Sequence, residues 1–299
     1  MNLTLKIAKR VLGVAVIGLA FSACQKMERP ALKELILDPP PPPYSDLKSL
    51  WSFENNVNDA GENKLTATQK NVTYVAGVNG QAAKIGSGGY ILLKATGDTV
   101  VYPNGYKALP ADTLKNLGSY TLSFWMNGVG PVKDGAQGLF SISNKNEFWG
   151  NLDLFLENDD NPADPSEAFL KVHMFNASVS SGNGEQWNEV KIPGVLNKWS
   201  HIAITYDAAS SQFSIFANGQ PTSIHNKVLS DGGKPYGKIK FNNFNGMVLG
   251  TYQFQTDPSL TNHGPESWAR SFNGALDQFR IYNRALSDAE IMNLFTSKE

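Results

Sequence analysis

Apolar and polar residues alternate with period two through residues 196–220. Ile202, Ile204 and Tyr206 alternate with His201, Ala203 and Thr205, and Phe213, Ile215 and Ala217 alternate with Ser214, Phe216 and Asn218. Such alternation gives a strand two unlike faces, and the polar break at 207–212 joins the two runs as a hairpin. Asn218 and Gly219 tolerate positive φ, so a further strand is predicted to turn back there. The same reading predicts strands at 72–75, 82–85, 90–94, 120–127, 138–143, 151–157, 169–175, 189–192, 238–242, 246–253 and 275–282. Ser287 at an N-cap, Glu290 at the capping-box position and Ile291, Leu294 and Phe295 on one face predict a short C-terminal helix. Many short strands with one closing helix describe an all-β sandwich.

The pattern changes character at the N-terminus. Lys6, Lys9 and Arg10 precede an apolar run over 11–23 that is too short for an ordinary membrane span and reads as a secretory signal over residues 1–23. The run ends Phe21-Ser22-Ala23-Cys24, which looks like a bacterial lipobox, with Cys24 as the lipidated first residue of the mature chain. The other reading is a plain signal peptide with an incidental cysteine. Because Cys24 is the only cysteine, no internal disulfide can form and the exported domain must be held by its core. Residues 24–46 then form a linker with five consecutive prolines at 39–43, extended and stiff, serving either as a spacer or as a recognition motif. Residues 47–299 remain for one domain.

Several segments together resemble one family. Trp199-x-His201-x-Ala203-x-Thr205-Tyr206-Asp207 followed by Phe216-x-Asn218-Gly219, the closing run from Phe272 to Ser287, the opening Leu50 to Glu54 with Asp59 to Asn63, and Asn79 to Ala82 are similar to the laminin-G-like, concanavalin A-like jelly rolls. The resemblance spans 47–299. It implies a jelly-roll β-sandwich of two antiparallel sheets with a short C-terminal helix. It also implies calcium at the sandwich edge, with Asp277 matching the closing-strand carboxylate and Glu54 and Asp59 on the neighbouring opening strand. The alternative for Asp277 and Asp59 is a turn-capping role. The fold alone does not name a ligand, because it hosts lectins, enzymes and adhesion modules.

Charge and chemistry narrow the function. A formal charge of −1 over 299 residues gives no broad basic surface for nucleic acid. Glycosidases of this superfamily carry alternating carboxylates on one concave strand. The nearest match here puts Asn151 at the nucleophile position, Asp153 at the helper, and Phe155 and Leu156 at the two acid positions. Lyase-like echoes at Lys171-Val172-His173 and from Tyr236 to Lys240 lack the accompanying Arg-x-Glu strand. His173 and His201 read as strand residues with structural hydrogen bonds. His225 and His263 have no neighbour at metal-ligand spacing.

Glycan-binding chemistry is better represented. Sugars lay C–H faces on aromatic rings and offer hydroxyls to Asp, Asn, Gln and Arg. Three places mix those groups: Trp149 with Asn151 and Asp153; Trp187 in a polar run; and Tyr252 with Trp268 and Arg270, which bracket an insertion over 257–270. A second insertion over 159–167 is acidic and broken by proline. Trp51, Trp125 and Trp199 fall on the family pattern and are expected to pack structurally, while binding and structural roles both stay open for Trp149, Trp187 and Trp268. The expectation is therefore a lipoprotein of the outer membrane, anchored through Cys24 and facing the cell surface. It would bind polysaccharide without catalysis, with other outer-membrane proteins as further partners. A protein-interaction or adhesion module is the rival, and a hydrolase or lyase stands behind both.

Overall fold

The computed structural model describes residues 45–94, 100–101, 107–108, 114–159, 163–180 and 182–298. The expected signal segment 1–23, Cys24 and the proline run 39–43 lie outside the described residues. In chain order the first strands are β1 (Leu47–Trp51), β2 (Ala67–Ala76), β3 (Gln81–Lys94), β4 (Val100–Val101), β5 (Lys107–Ala108), β6 (Tyr120–Gly128) and β7 (Ala136–Ile142). They are followed by β8 (Leu152–Glu157), β9 (Ala168–Phe175), β10 (Glu185–Ile192), β11 (Ser200–Asp207), β12 (Gln212–Ala217) and β13 (Gln220–Pro221). The short β14 (Lys227–Val228), β15 (Ser230–Asp231) and β16 (Lys234–Pro235) precede β17 (Gly246–Leu249), β18 (Ala269–Ser271), β19 (Gly274–Tyr282) and the helix α1 (Asp288–Ser297).

Most strands join one curled, almost wholly antiparallel sheet in the order β10-β9-β8-β7-β17-β3-β19-β6-β11-β12-β13. The two predicted strands 82–85 and 90–94 are the two ends of β3, which explains how the sheet folds over itself. The first end pairs with β19, Leu276 facing Ala83. The second pairs with β17, Leu249 facing Ile91. Between them the backbone comes so close to β2 that a Cβ on Gly89 would sit 2.5 Å from the Asn71 carbonyl oxygen, so only glycine fits.

The core lies between the two halves of this sheet. Leu122, Phe124, Ile202, Ile204, Phe213, Ile215 and Ile281 from one half meet Phe140, Ile142, Leu154, Val172, Met247 and Leu249 from the other, all at most 1% exposed. Phe279 marks the seam, its ring centroid 5.2 Å from both Phe124 and Phe140. The hairpin forms as the alternation predicts: Ile204 faces Ile215, and Asn218 (φ 50°) and Gly219 (φ 76°) turn the chain into β13. Helix α1 starts at Ser287 with a complete capping box. Its Ile291 and Leu294 cover Ala203 and Phe216 on the outer face of β11 and β12.

Two sequence expectations change. Residues 238–242 form no ladder strand. Ile239 and Phe241 still alternate inward, but the backbone bonds go to Gly118, Lys115 and the side chain of Asn176, so the segment straps the sheet edge. Predicted strand 246–253 stops at Leu249, after which Gly250 (φ 85°) leads to a 3-10 turn over Gln253–Gln255.

Candidate functional site

Strands β7 to β10 have two unlike faces. Leu152, Leu154 and Leu156, with Leu170, Val172 and Met174, turn into the core. Antiparallel register then places the intervening residues side by side on the outer face: Ser141 beside Asp153, Asp153 beside His173, and His173 beside Trp187. The next row runs Phe155, Lys171 and Glu189.

Onto this face fold two loops whose tryptophans are far apart in sequence. Trp149 lies parallel to Phe155 at 5.5 Å, meets Trp187 edge-on at 5.1 Å and approaches Trp268 at 6.1 Å. Trp268 also meets Tyr252 at 5.6 Å and Phe254 at 5.8 Å. Phe148 stacks on Phe254 at 4.3 Å. The three regions that the sequence offers separately thus form one aromatic cluster. Trp149 is half-buried within it, while Trp187 and Trp268 are each 38% exposed.

Two glutamines fix the loops. The buried Gln253 side chain donates to the carbonyls of Glu147 and Phe148 and accepts from the Asn144 N–H, holding the turn that carries Trp149. Thr261 Oγ1 adds a 2.6 Å bond to the same Glu147 carbonyl. The Gln255 amide donates to the carbonyls of Glu266 and Ala269, which flank Trp268. In the run from Tyr252 to Gln255 the rings build the cluster and the amides tie the loops to it.

A pocket of about 350 Å³ opens beside Trp149, lined by Phe148, Phe175, His173, Asn183 and the carboxylates of Glu147 and Glu185, among others. His173 is 1% exposed. Its Nδ1 lies 3.1 Å from Asp153 Oδ2, which also accepts from the Gly150 N–H, while Asp153 Oδ1 accepts from Ser141 Oγ. Its Nε2 makes no hydrogen bond and sits 3.7 Å from Glu185 Oε1. The structural bond expected of His173 is present, and the ring also lines the pocket.

The other expected site residues are placed differently. Asn151 is wholly buried, donating to the carbonyls of Ser143 and Asn242 and accepting from the Asn242 N–H. Asp153 is 1% exposed and fully engaged. Expected to meet a ligand beside Trp149, both instead hold the turn that carries it, because their alternation points them under the loop. Tyr252 is also enclosed as part of the cluster floor, and burial, with Glu157 and Asp153 nearby, pushes its phenol well above its ordinary pKa. Arg270 belongs to a separate cleft of about 410 Å³ with Lys84 and Lys133. It donates to the carbonyls of Ser267 and Ala269.

Sequence reasoning missed Phe148, Phe155, Glu147 and Glu185. Phe155 was legible only as the wrong residue for an acid, yet it is the ring on which Trp149 lies. Glu185 shares a strand face with Trp187, a signal already present in the period-two pattern of β10.

The expected calcium ligands cap turns. Asp277 Oδ2 accepts from the N–H groups of Val78 and Asn79, and Oδ1 accepts from Gln278. Glu54 accepts from the Gln81 N–H at the other side of the same turn. Asp59 instead caps a different turn, accepting from Leu50, Gly61 and Leu65. Burial raises the pKa of both aspartates. Among the described residues no group of three or more His, Cys, Asp or Glu side chains could hold a metal ion. A cation at Asp277 would have to share oxygens already facing N–H donors.

Comparison with known proteins bears on the fold. The sequence profile described as the concanavalin A-like lectin/glucanases superfamily matches residues 98–292. Among solved structures, the chain is similar to the receptor-binding domain of a botulinum neurotoxin C/D mosaic serotype at 12% identity and TM-score 0.54, over 85% of this chain and 51% of that one. The binding domain of Paraclostridial mosquitocidal protein 1 matches at 17% and 0.53, over 84% and 52%. Botulinum neurotoxin type C, whose cell entry is described as dependent on interaction with two ganglioside molecules, matches at 14% and 0.54, over 84% and 51%. The chain thus spans about half the length of these structures, and at these identities the likeness is one of fold. No curated protein matches.

Proposed function

This chain belongs to the concanavalin A-like lectin/glucanases superfamily, and we propose that it binds carbohydrate without chemical turnover, on the outer face of β7 to β10. The carrying observation is the convergence of Trp149, Trp187 and Trp268 beside a polar-lined pocket, with two of the three indoles open to solvent. Exposed indoles on a rigid sheet offer flat apolar platforms to sugar C–H faces, and the adjoining carboxylates and amides accept or donate to hydroxyls. The ganglioside dependence stated for neurotoxin type C supports the reading as an analogy of fold. Binding without catalysis is supported by the strand where glucanases carry carboxylates: Asn151 is committed to backbone partners and Asp153 is sealed beneath the loop.

The N-terminal sequence adds presentation to recognition. A lipid on Cys24 would anchor the chain at a membrane, and the stiff run 39–43 would hold the domain away from it. Metabolic labelling with an alkyne fatty acid should mark the wild type and not Cys24→Ser; an unlabelled wild type contradicts the anchor. A glycan array tests recognition. The wild type should retain at least one polysaccharide, and Trp187→Ala and Trp268→Ala should each weaken it by about tenfold, in line with the loss of an aromatic contact. If no glycan is retained, in buffer with or without calcium, the face is instead a protein-interaction surface.

A further inference from the structure

We propose that the pocket beside Trp149 selects sugars that present hydrogen-bond donors and carry no negative charge, an inference that rests on the glycan reading and specifies its ligand class. Beside His173, the pocket's ionisable lining is one-sided: Glu147 and Glu185, with no lysine or arginine. The Glu147 carboxylate has no partner among the described residues. Glu185 makes one long hydrogen bond, accepting from Asn183 at 3.4 Å. Lys171, in the next row of the outer face, is already held between Glu157 and Glu189 at 3.2 and 3.4 Å.

His173 supplies the independent observation. Asp153 Oδ2 accepts from Gly150 and faces Nδ1, so Nδ1 carries a proton. That buried Nε2 has no hydrogen-bond partner and faces a second acceptor, Glu185 Oε1, across 3.7 Å. The Glu185 and Glu147 carboxylates keep acceptor capacity for a donor that enters the pocket. A sugar hydroxyl or ammonium is such a donor. A uronate carboxylate adds a third acceptor and a like charge beside Glu147 and Glu185, where partial burial strengthens the repulsion.

The test uses matched probes: cello-, galacto- and manno-oligosaccharides, each beside the same oligosaccharide oxidised at C6 to the uronate. Their affinities are measured by calorimetry at neutral pH with the full chain. The bound neutral form should be favoured over its uronate by about tenfold or more, an energy typical of one like-charge contact at a partly buried site. In E147Q/E185Q that preference should fall below about threefold, because both amides keep the shape and remove the charge. Uronates binding as tightly as neutral forms overturn the charge selection and leave glycan binding standing, as does a preference unchanged in E147Q/E185Q. If no oligosaccharide binds in either form, the glycan reading fails and this inference falls with it.

Discussion

Two outer faces of this sandwich use the same materials to opposite ends. Over β6 and β11, His201 Nε2 bonds Ser123 Oγ at 2.8 Å, Trp125 packs beside His201 at 5.3 Å, and Phe295 of helix α1 stacks on Trp125 at 5.6 Å. Over β8 to β10, His173 bonds Asp153, Trp187 packs on it at 4.6 Å and Trp149 crosses Trp187. The first assembly is roofed by a capped helix and its tryptophan is 5% exposed; the second is covered only by loops and leaves Trp187 at 38%. A histidine and a tryptophan on adjacent strands therefore do not mark a site. What marks it is whether a regular element closes over them.

That contrast can be broken at several points. Trp125→Ala should cost about 3–5 kcal/mol in urea unfolding, as expected for a large aromatic removed from a closed site. A loss near that of a surface change would show that α1 is not a roof. Acidification comes next. Burial, helped by Arg280, lowers the His201 pKa from 6.5 to about 3, so the folded state keeps the ring neutral where the unfolded chain takes up a proton. The stability from this group is complete above pH 6.5 and is lost as pH falls towards about 3. The loss by pH 5 should be about 2 kcal/mol, and His201→Gln should remove it. Asp59 and Asp277, raised by burial, act in the opposite sense, so the readout is the difference between the two proteins' pH profiles.

Smaller effects sharpen the open face. Gln253→Ala leaves the Asn144 N–H and the Phe148 carbonyl unpaired, while the Glu147 carbonyl keeps Thr261, which should cost about 1–2 kcal/mol and loosen Trp149. Glycan affinity should fall although Gln253 itself meets no ligand, and unchanged affinity would show that the turn needs no clamp. Trp187→Ala should change stability least, by about 1 kcal/mol or less, as befits a residue more than a third exposed. A larger loss would make it a structural tryptophan like Trp125.

The scaffold was far more legible in the sequence than the site. Alternation from His201 to Asn218, the Asn218-Gly219 turn and the Ser287 cap are local signals, and each specifies its own geometry. The aromatic cluster depends on register between distant strands and on two loops brought together by Gln253 and Gln255. Period two told that Asn151, Asp153 and Phe155 share a face, but not that a loop would cover it, so the polar pair became internal and the phenylalanine became a platform. Glu147 and Glu185 carry no motif; they matter because the fold places them in one pocket.

The most direct test of the account is calorimetric titration of an array-identified polysaccharide into wild type and into Trp187→Ala/Trp268→Ala, with thermal melts run alongside. The account predicts saturable binding to the wild type, a loss of at least about tenfold in the double variant, and melting temperatures within a few degrees of one another. Equal affinity in both proteins, with both folded, would contradict it.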